Sequence, residues 1–257
     1  MAGGDLIVLC YHAVSEDWPA ALSVTPQSFE FQIDLLASRG YRGTTFTRAA
    51  LGDVDGKTIA VTFDDGYRSI NERARPILES YGFPATVFVP ASVIESKSPL
   101  AWPGTDRWLD GPHELELEPM SIQELRELSE LGWEIGSHTL THPKLPLLDD
   151  DELRDELVGS RRACGKMIDA ECTSIAFPYG ATDARVLRAS EEAGYSAAAL
   201  LGIPRGKASG IACPRIGVYH ADGSVLFRIK LSPTVRRLRR SRAWVVVEKL
   251  RALIRRG

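Results

Sequence analysis

The stretch Lys57-Thr58-Ile59-Ala60-Val61-Thr62-Phe63-Asp64-Asp65-Gly66 decides how this chain is read. It begins as an apolar, β-branched run of the kind that forms a buried strand, and it ends in two adjacent carboxylates and a glycine that favours a turn. The pattern recurs downstream. Trp133-Glu134-Ile135-Gly136-Ser137 leads into His138-Thr139-Leu140-Thr141-His142-Pro143, and Ser174-Ile175-Ala176-Phe177 leads into Pro178-Tyr179-Gly180. If these strands are parallel neighbours, all three motifs leave the sheet at one end and can converge. Asp-Gly alone is an ordinary turn dipeptide, and two histidines four residues apart are a weak signal in isolation. Together the motifs offer two carboxylates and two imidazoles, which is three ligands for one metal ion plus a spare carboxylate to act as a base.

Outward from these motifs the chain alternates strand and helix. Residues 6–11 read as a strand. Thr25 caps a helix with Pro26 in its first position, and Phe29, Ile33, Leu35 and Leu36 give that helix an apolar stripe ending near Gly40. A helix is expected over residues 70–81, stopping at Gly82, and a buried strand over Ala85-Thr86-Val87-Phe88-Val89. Ser121-Ile122-Gln123-Glu124 is a capping box opening a helix that stops at Gly132, and Asp149-Asp150-Asp151-Glu152 opens a longer one whose acidic start and basic end suit the helix dipole. Further strands are expected over residues 174–177, 195–201 and 211–219, with a helix ending at Gly194. Repeated β-α units imply a parallel sheet with right-handed crossovers, either a barrel or an open doubly wound sheet. The absence of a glycine-rich dinucleotide fingerprint disfavours a Rossmann domain. Residues 95–119 break the rhythm with Pro99, Pro103, Gly104, Gly111, Pro112 and Pro119, and this insertion carries Trp102 and Trp108, for which local packing and sugar stacking are both open.

A chain of 257 residues with 44% hydrophobic and 25% charged residues is an ordinary globular α/β composition, large enough to fold without a structural metal. A metal site here is therefore expected to be catalytic. Cys10, Cys164, Cys172 and Cys213 form no Cys-x-x-Cys pair and read as buried, inert thiols. No basic leader or span-length apolar run is visible, so the sequence reads as cytoplasmic. Charge is unevenly spread. The net charge is −3, but residues 233–257 hold nine basic side chains against Glu248, a local charge of +8 that leaves −11 on the remainder. The division expected is a barrel over residues 1–232 and a basic amphipathic tail over 233–257. In that tail Trp244, Val245, Val246, Val247, Leu250, Leu253 and Ile254 stand among arginines, and at helical spacing several of them share a face. Such a tail either packs on the barrel or lies on an anionic membrane surface, which would bring it near lipid-linked sugars or a membrane glycosyltransferase. No nucleic-acid-reading motif is present, and nucleic acid is not an expected partner.

The three motifs together resemble the NodB-homology polysaccharide deacetylases, carbohydrate esterase family 4. Thr62-Phe63-Asp64-Asp65-Gly66 matches the first motif of that family, Ser137 to Pro143 the second and Phe177-Pro178-Tyr179-Gly180 the third. The opening Leu9-Cys10-Tyr11-His12-Ala13-Val14-Ser15, followed by Val24-Thr25-Pro26-Gln27-Ser28-Phe29-Glu30, is similar to the start of one branch of it, so the resemblance runs over roughly residues 5–230. It implies a distorted (β/α)7 barrel and one divalent ion held by Asp65, His138 and His142. Zinc is the first expectation for that ion, with cobalt, nickel and manganese also compatible. It implies Asp64 as the general base and the backbone N–H of Tyr179, after Pro178, as an oxyanion donor. The general acid is left between His220, at the end of Pro214-Arg215-Ile216-Gly217-Val218-Tyr219-His220, and His12, because the family's Asp-x-x-Asp-Trp segment is not found. Arg215 either orients the base, binds a substrate anion or forms a structural ion pair. Pro178, Arg215, Trp102 and Trp108 are the substrate-contact candidates. The activity implied is removal of N-acetyl groups from an amino-sugar glycan or glycan precursor. The alternatives are a related amide or O-acetyl ester hydrolase and a non-catalytic carbohydrate-binding or assembly protein on the same fold.

Overall fold

The computed structural model of the protein describes residues 5–201 and 210–239. Ten strands are found there: β1 (Asp5–Tyr11), β2 (Ala13–Val14), β3 (Ser23–Val24), β4 (Arg42–Thr44), β5 (Lys57–Phe63), β6 (Ala85–Val89), β7 (Glu134–Ser137), β8 (Ser174–Ala176), β9 (Ala197–Leu201) and β10 (Ala212–Gly217). The helices are α1 (Pro26–Ala37), α2 (Phe46–Ala50), α3 (Arg75–Ser80), α4 (Ala91–Ser96), α5 (Ile122–Glu130), α6 (Asp150–Ile168), α7 (Ala184–Glu192), α8 (Ser224–Leu231) and α9 (Pro233–Arg239). The large sheet runs β1-β10-β9-β8-β7-β6-β5, and β5 pairs back onto β1 with seven residue pairs from Asp5↔Lys57 to Tyr11↔Phe63. Every pairing is parallel. The result is a closed seven-stranded barrel with helices outside, the deformed (β/α)7 form, and the open sheet is excluded. Short β4 lies beside residues 58–60 of β5, while β6 takes residues 61–63 of the same edge. No described helix is long and apolar enough to cross a membrane.

Local chemistry accounts for most boundaries. The Thr25 hydroxyl accepts from the Ser28 N–H at 3.2 Å, with Pro26 opening α1. Capping boxes Ser121/Glu124 and Asp149/Glu152 open α5 and α6. One expected helix is altered. Residues 70–81 begin as a π-helical turn, Ile70–Ala74, in which the Arg75 N–H reaches the Ile70 carbonyl before α3 continues. Pro76 cannot donate and would press on the carbonyl four residues back, and the wider turn accommodates it. The insertion is ordered: two 3₁₀ turns, Asp106–Trp108 and Glu114–Leu117, bury Leu100 and Leu117. Its exit is clamped beside the Asp64-Asp65-Gly66 turn, where the Met120 N–H bonds Gly66 O at 2.9 Å and Arg68 N–H bonds Glu118 O at 2.9 Å.

The barrel interior is two-tiered. Its lower part is a small apolar plug of Val8, Ala60, Phe88, Ala176, Ala197 and Ala199, closed from below by Phe46 and Ala49 of α2. Phe46 meets Phe88 edge to face at 5.4 Å. Above the plug the inward positions turn polar. The larger apolar core fills the space between strands and helices. The C-terminal region begins by docking: Arg236 of α9 donates to Leu6 O at 3.1 Å and to Asp5 Oδ1 at 2.5 Å, at the N-terminal end of β1. Trp244 and the apolar and basic positions that follow it lie outside the described residues.

Gly136 on β7 has no room for a methyl group. A Cβ there would stand 2.5 Å from the Phe88 ring and 2.7 Å from Ser174 Oγ. Gly136→Ala is expected to destabilise the barrel by about 1–3 kcal/mol through overpacking, read as a lower denaturant midpoint at unchanged m-value.

Candidate active site

Alternation along the strands selects the side chains that enter the upper barrel. β1 offers Val8 and then Cys10, β5 offers Ala60 and then Thr62, and the register Cys10↔Thr62 sets these level. Continued by one step, with the Asp64 N–H bonded to Tyr11 O at 3.0 Å, it brings His12 and Asp64 to the same rim. Arg215 on β10 reaches in from the other side of β1. All of these side chains are buried.

Asp64 is held by a bidentate guanidinium. Arg215 Nη1 donates to Oδ1 at 2.6 Å and Nη2 to Oδ2 at 2.8 Å, while Nη1 also donates to Thr62 Oγ1 at 2.9 Å. The Cys10 thiol donates to Oδ2 at 3.3 Å. Burial pushes the Asp64 carboxyl up, but the Arg215 charge and hydrogen bonds hold it below its ordinary value. Asp64 is therefore a buried carboxylate that stays ionised. Burial pushes the Cys10 thiol well up, so it remains a protonated donor. Burial holds the His12 imidazole below its ordinary value against the opposing charges of Asp65 and Asp64, and its Nδ1 has no hydrogen-bond partner.

Asp65 faces away from Arg215 towards two imidazoles. Its Oδ1 is 3.3 Å from Nε2 of both His138 and His142. His138 Nδ1 lies 3.0 Å from Ala176 O, which can only accept, so Nδ1 carries the proton and a neutral His138 turns its Nε2 lone pair on the carboxylate. Two acceptors at that distance call for a proton or a cation between them. Accordingly, burial lowers the His138 pKa but the charge of Asp64 and the Asp65 contact outweigh it and raise it above its ordinary value. Burial keeps His142 below its own. The ligand atoms of Asp65, His138 and His142 all lie within 4.8 Å of one another. Ligands bonded at 2.0–2.1 Å in a tetrahedron sit about 3.3 Å apart, so this donor set fits a small divalent ion. Cys10, His12 and Asp64 form a second such group, but there the carboxylate is already engaged by Arg215.

Strained and braced backbone surrounds the site. Asp65, Thr139, His142 and Tyr179 all have positive φ, at 74°, 70°, 66° and 59°. The histidine loop is fixed by Glu156 of α6, whose carboxylate accepts from the N–H groups of Leu140 at 2.8 Å and Thr141 at 3.0 Å and from the Thr141 hydroxyl at 2.5 Å. Below it, Ala91 and Ser92 N–H groups bond the carbonyls of Thr139 and Leu140. His142 lacks the second-nitrogen bond that His138 enjoys, since its Nδ1 is buried without a partner. Instead Trp102 stacks on its ring, centroids 3.8 Å apart and planes 20° apart, and Tyr179 meets it at 4.9 Å. Lys144 Nζ lies 5.1 Å over the Tyr179 ring.

The residues singled out from sequence thus divide. Asp64, Asp65, His138, His142, His12, Arg215, Trp102 and Tyr179 are brought together, and buried Pro178 shapes the turn that presents Tyr179. Trp108 packs against Trp18 at 6.2 Å and His113 at 5.4 Å rather than on the histidines. His220 is exposed, with its N–H bonded to Ala21 O at 3.0 Å. Of the four thiols expected to be buried and inert, Cys213 is only half-buried and Cys10 joins the site as a donor to Asp64, and Glu156 was not singled out. Cys10 was detectable in principle, being two residues before His12 on the same strand face, but only once β1 is known to pair with β5. Nothing in the sequence marks Glu156 among the other acids of α6.

The polysaccharide deacetylase family profile matches residues 51–198, more than half of the chain. YxkH of Bacillus subtilis is 29% identical over 195 residues, which cover 74% of this chain and 62% of YxkH. The poly-beta-1,6-N-acetyl-D-glucosamine N-deacetylase of Staphylococcus aureus is 28% identical over 171 residues, covering 62% of this chain and 54% of that protein. The chain therefore spans less than two-thirds of the length of either relative. Among solved structures, the Streptococcus pyogenes deacetylase PplD, in complex with acetate, superposes with a TM-score of 0.73 at 21% identity, over 90% of this chain and 100% of that one, and shares the fold.

Because ring stacking substitutes for a hydrogen bond in orienting His142, Trp102→Ala is expected to weaken divalent-ion affinity by about 10–100-fold. Trp102→Phe should retain most of it. Competition titration with a chromogenic chelator reads this directly, without recourse to activity.

Proposed function

The chain belongs to the polysaccharide deacetylase family, and from that premise we propose that it hydrolyses the N-acetyl group of an amino-sugar-containing glycan or glycan precursor. One observation carries the reading: two adjacent carboxylates, both buried, have been given different duties by their partners. Asp64 is kept ionised by Arg215 and turned towards Cys10 and His12. Asp65 is committed to His138 and His142. A base beside a ligand set is the division that amide hydrolysis needs. The name of the S. aureus relative supports an N-acetylglucosamine polymer as the substrate class.

Asp65, His138 and His142 would hold one divalent ion, with zinc the first candidate on donor type. Bound there, such an ion supplies polarisation of the acetyl carbonyl and acidification of a water molecule. The chain's own residues do the rest. Asp64 takes the proton from the attacking water as its oxygen bonds to the acetyl carbon. The backbone N–H of Tyr179, presented at φ 59° between Pro178 and Gly180, donates to the oxygen that becomes negative. The carbon–nitrogen bond then breaks, and the nitrogen needs a proton to leave as an amine. We assign its delivery to His12, buried within reach of Asp64, over exposed His220. His12 is neutral at rest, so it acts by relaying the proton that Asp64 collects. Trp102 forms one wall of the cleft against His142 and is available for a sugar ring.

Purified protein loaded with zinc should release acetate from N-acetylglucosamine oligomers. Asp64→Asn should keep the ion and lose turnover by about 10²–10⁴-fold, whereas Asp65→Ala should lose both. Acetate release that survives Asp64→Asn would overturn the assignment of the base. Release from acetate esters with none from N-acetyl substrates would favour the ester-hydrolase alternative.

His12→Ala should lower kcat with little change in KM, and His220→Ala should stay near wild type. The reverse pattern would move the acid to His220, and two mild variants would leave proton return to Asp64 alone.

A further inference from the structure

Helix α8 has an apolar face that the barrel does not cover. Its inner side is well seated: Phe227 and Leu231 are buried, and Lys230 turns inwards to donate to Gly217 O at 2.9 Å and to pair with Asp222. On the outer side Val225, Leu226 and Ile229 are 70%, 43% and 50% exposed. These three aliphatic side chains lie at helical spacing on one side and project from the surface.

The charged residues of α8 and α9 are all basic, while the neighbouring α1 adds exposed Glu30 and Asp34. Arg228 is exposed within α8, its guanidinium 5.4 Å over the Phe31 ring, and Arg237 is exposed on the following α9. The sequence from 223 to 247 contains no Asp or Glu, although it holds seven Lys and Arg residues. Two of those seven, Lys230 and Arg236, are turned onto Asp222 and Asp5 of the barrel, whereas Arg228 and Arg237 face solvent. α9 lies at the N-terminal end of β1, where Arg236 meets Leu6 O, which is the end of the barrel opposite the Asp64-Asp65 rim.

We propose that this face of α8 docks on an anionic lipid surface. Val225, Leu226 and Ile229 enter the boundary between headgroups and acyl chains, and Arg228 and Arg237 meet the lipid phosphates. Its own residues 240–257, six basic side chains against Glu248, would bring further positive charge to the arginines of this face. A soluble acidic peptide is anchored by a recess, whereas these aliphatic side chains stand proud of the helix. A flat, negatively charged, partly apolar layer satisfies both the charge and the projection. Docking in this way uses α8 and none of the rim residues, and it is independent of what that rim hydrolyses.

The test is co-sedimentation of the full chain with phosphatidylcholine vesicles and with vesicles that also contain phosphatidylserine, at low and high salt. Binding is expected only to the anionic vesicles, weakening as salt screens the arginines. Arg228→Ala/Arg237→Ala should weaken it by about fivefold per arginine. Val225→Ser/Leu226→Ser/Ile229→Ser should abolish it while leaving the melting temperature unchanged. Failure of the wild-type chain to bind anionic vesicles at low salt overturns the proposal. Binding unaltered by either set of substitutions overturns it as well, because the attraction would then lie in residues 240–257 alone. A serine variant with a clearly lower melting temperature would instead mean that this face is covered by the chain itself. Equal binding to soluble polyglutamate, insensitive to the serine substitutions, would reassign the surface to an acidic protein partner.

Discussion

The pair Asp64–Arg215 organises the upper half of the barrel. Arg215 stands on β10 and Asp64 follows β5, and β1 lies between those two strands in the closed sheet. The guanidinium therefore reaches across the interior and ties together strands that share no ladder. Two buried charges are expensive to desolvate, and they repay that cost only with good geometry and satisfied neighbours. Here the geometry is a two-pronged fork, Thr62 takes a further N–H, and Cys10 adds a donor to the carboxylate. Arg215 also lies 5.3 Å over the Phe88 ring, which is the top of the apolar plug. The polar tier thus rests on the apolar one, and the small residues Ala60, Ala176, Ala197 and Ala199 leave Phe46 and Phe88 the space to fill the bottom.

That framework allows the rim to hold unfavourable backbone. Four non-glycine residues around one cleft adopt positive φ, each at a cost on the order of 1–3 kcal/mol. The cost is offset by specific bonds: Glu156 gathers two N–H groups and a hydroxyl from the histidine loop, and Thr139 Oγ1 accepts from the His142 N–H at 3.0 Å. Strain of this kind fixes where Asp65, His142 and Tyr179 can point. Two of the proposed ligands, Asp65 and His142, and the proposed oxyanion donor Tyr179 are held by backbone that has few other conformations available.

Much of this was legible in the sequence, for reasons that are local. Lys57–Phe63 and Ala85–Val89 read as strands to the residue, because apolar runs bounded by turn residues are short-range signals. The capping boxes of α5 and α6 likewise depend on residues three apart. What escaped was either short or non-local. β4, α2 and α8 span three, five and eight residues and lack a readable period. The choice of barrel over open sheet rests on β1 meeting β5, a pairing about fifty residues apart that only the family resemblance implied. The three readings of Arg215 could not be separated until Asp64 was seen against its guanidinium. His12 and His220 are the same residue type after the end of a strand, and burial and nearness to Asp64 distinguish them.

The protonation states within the cleft form a single electrostatic argument. Asp64 and Asp65 are both held ionised, Cys10 is held protonated, His12 and His142 are held neutral, and Arg215 contributes one positive charge. The buried set is therefore one positive charge short of neutral. Against the burial that lowers it, the charge of Asp64 and the contact with Asp65 raise the pKa of His138, so this imidazole is a group that can supply that charge. A proton on His138 and a divalent ion at Asp65, His138 and His142 answer the same field, and they compete for the same lone pair. On the proposed reading Asp65, His138 and His142 would hold an ion of twice the proton's charge through three donors, and the site would then favour negative charge developing on the acetyl oxygen. On that reading the tie between Asp64 and Arg215 would serve the proposed ligand set as well as the proposed base, since the guanidinium engages Asp64 and leaves Asp65 as the carboxylate open to an ion.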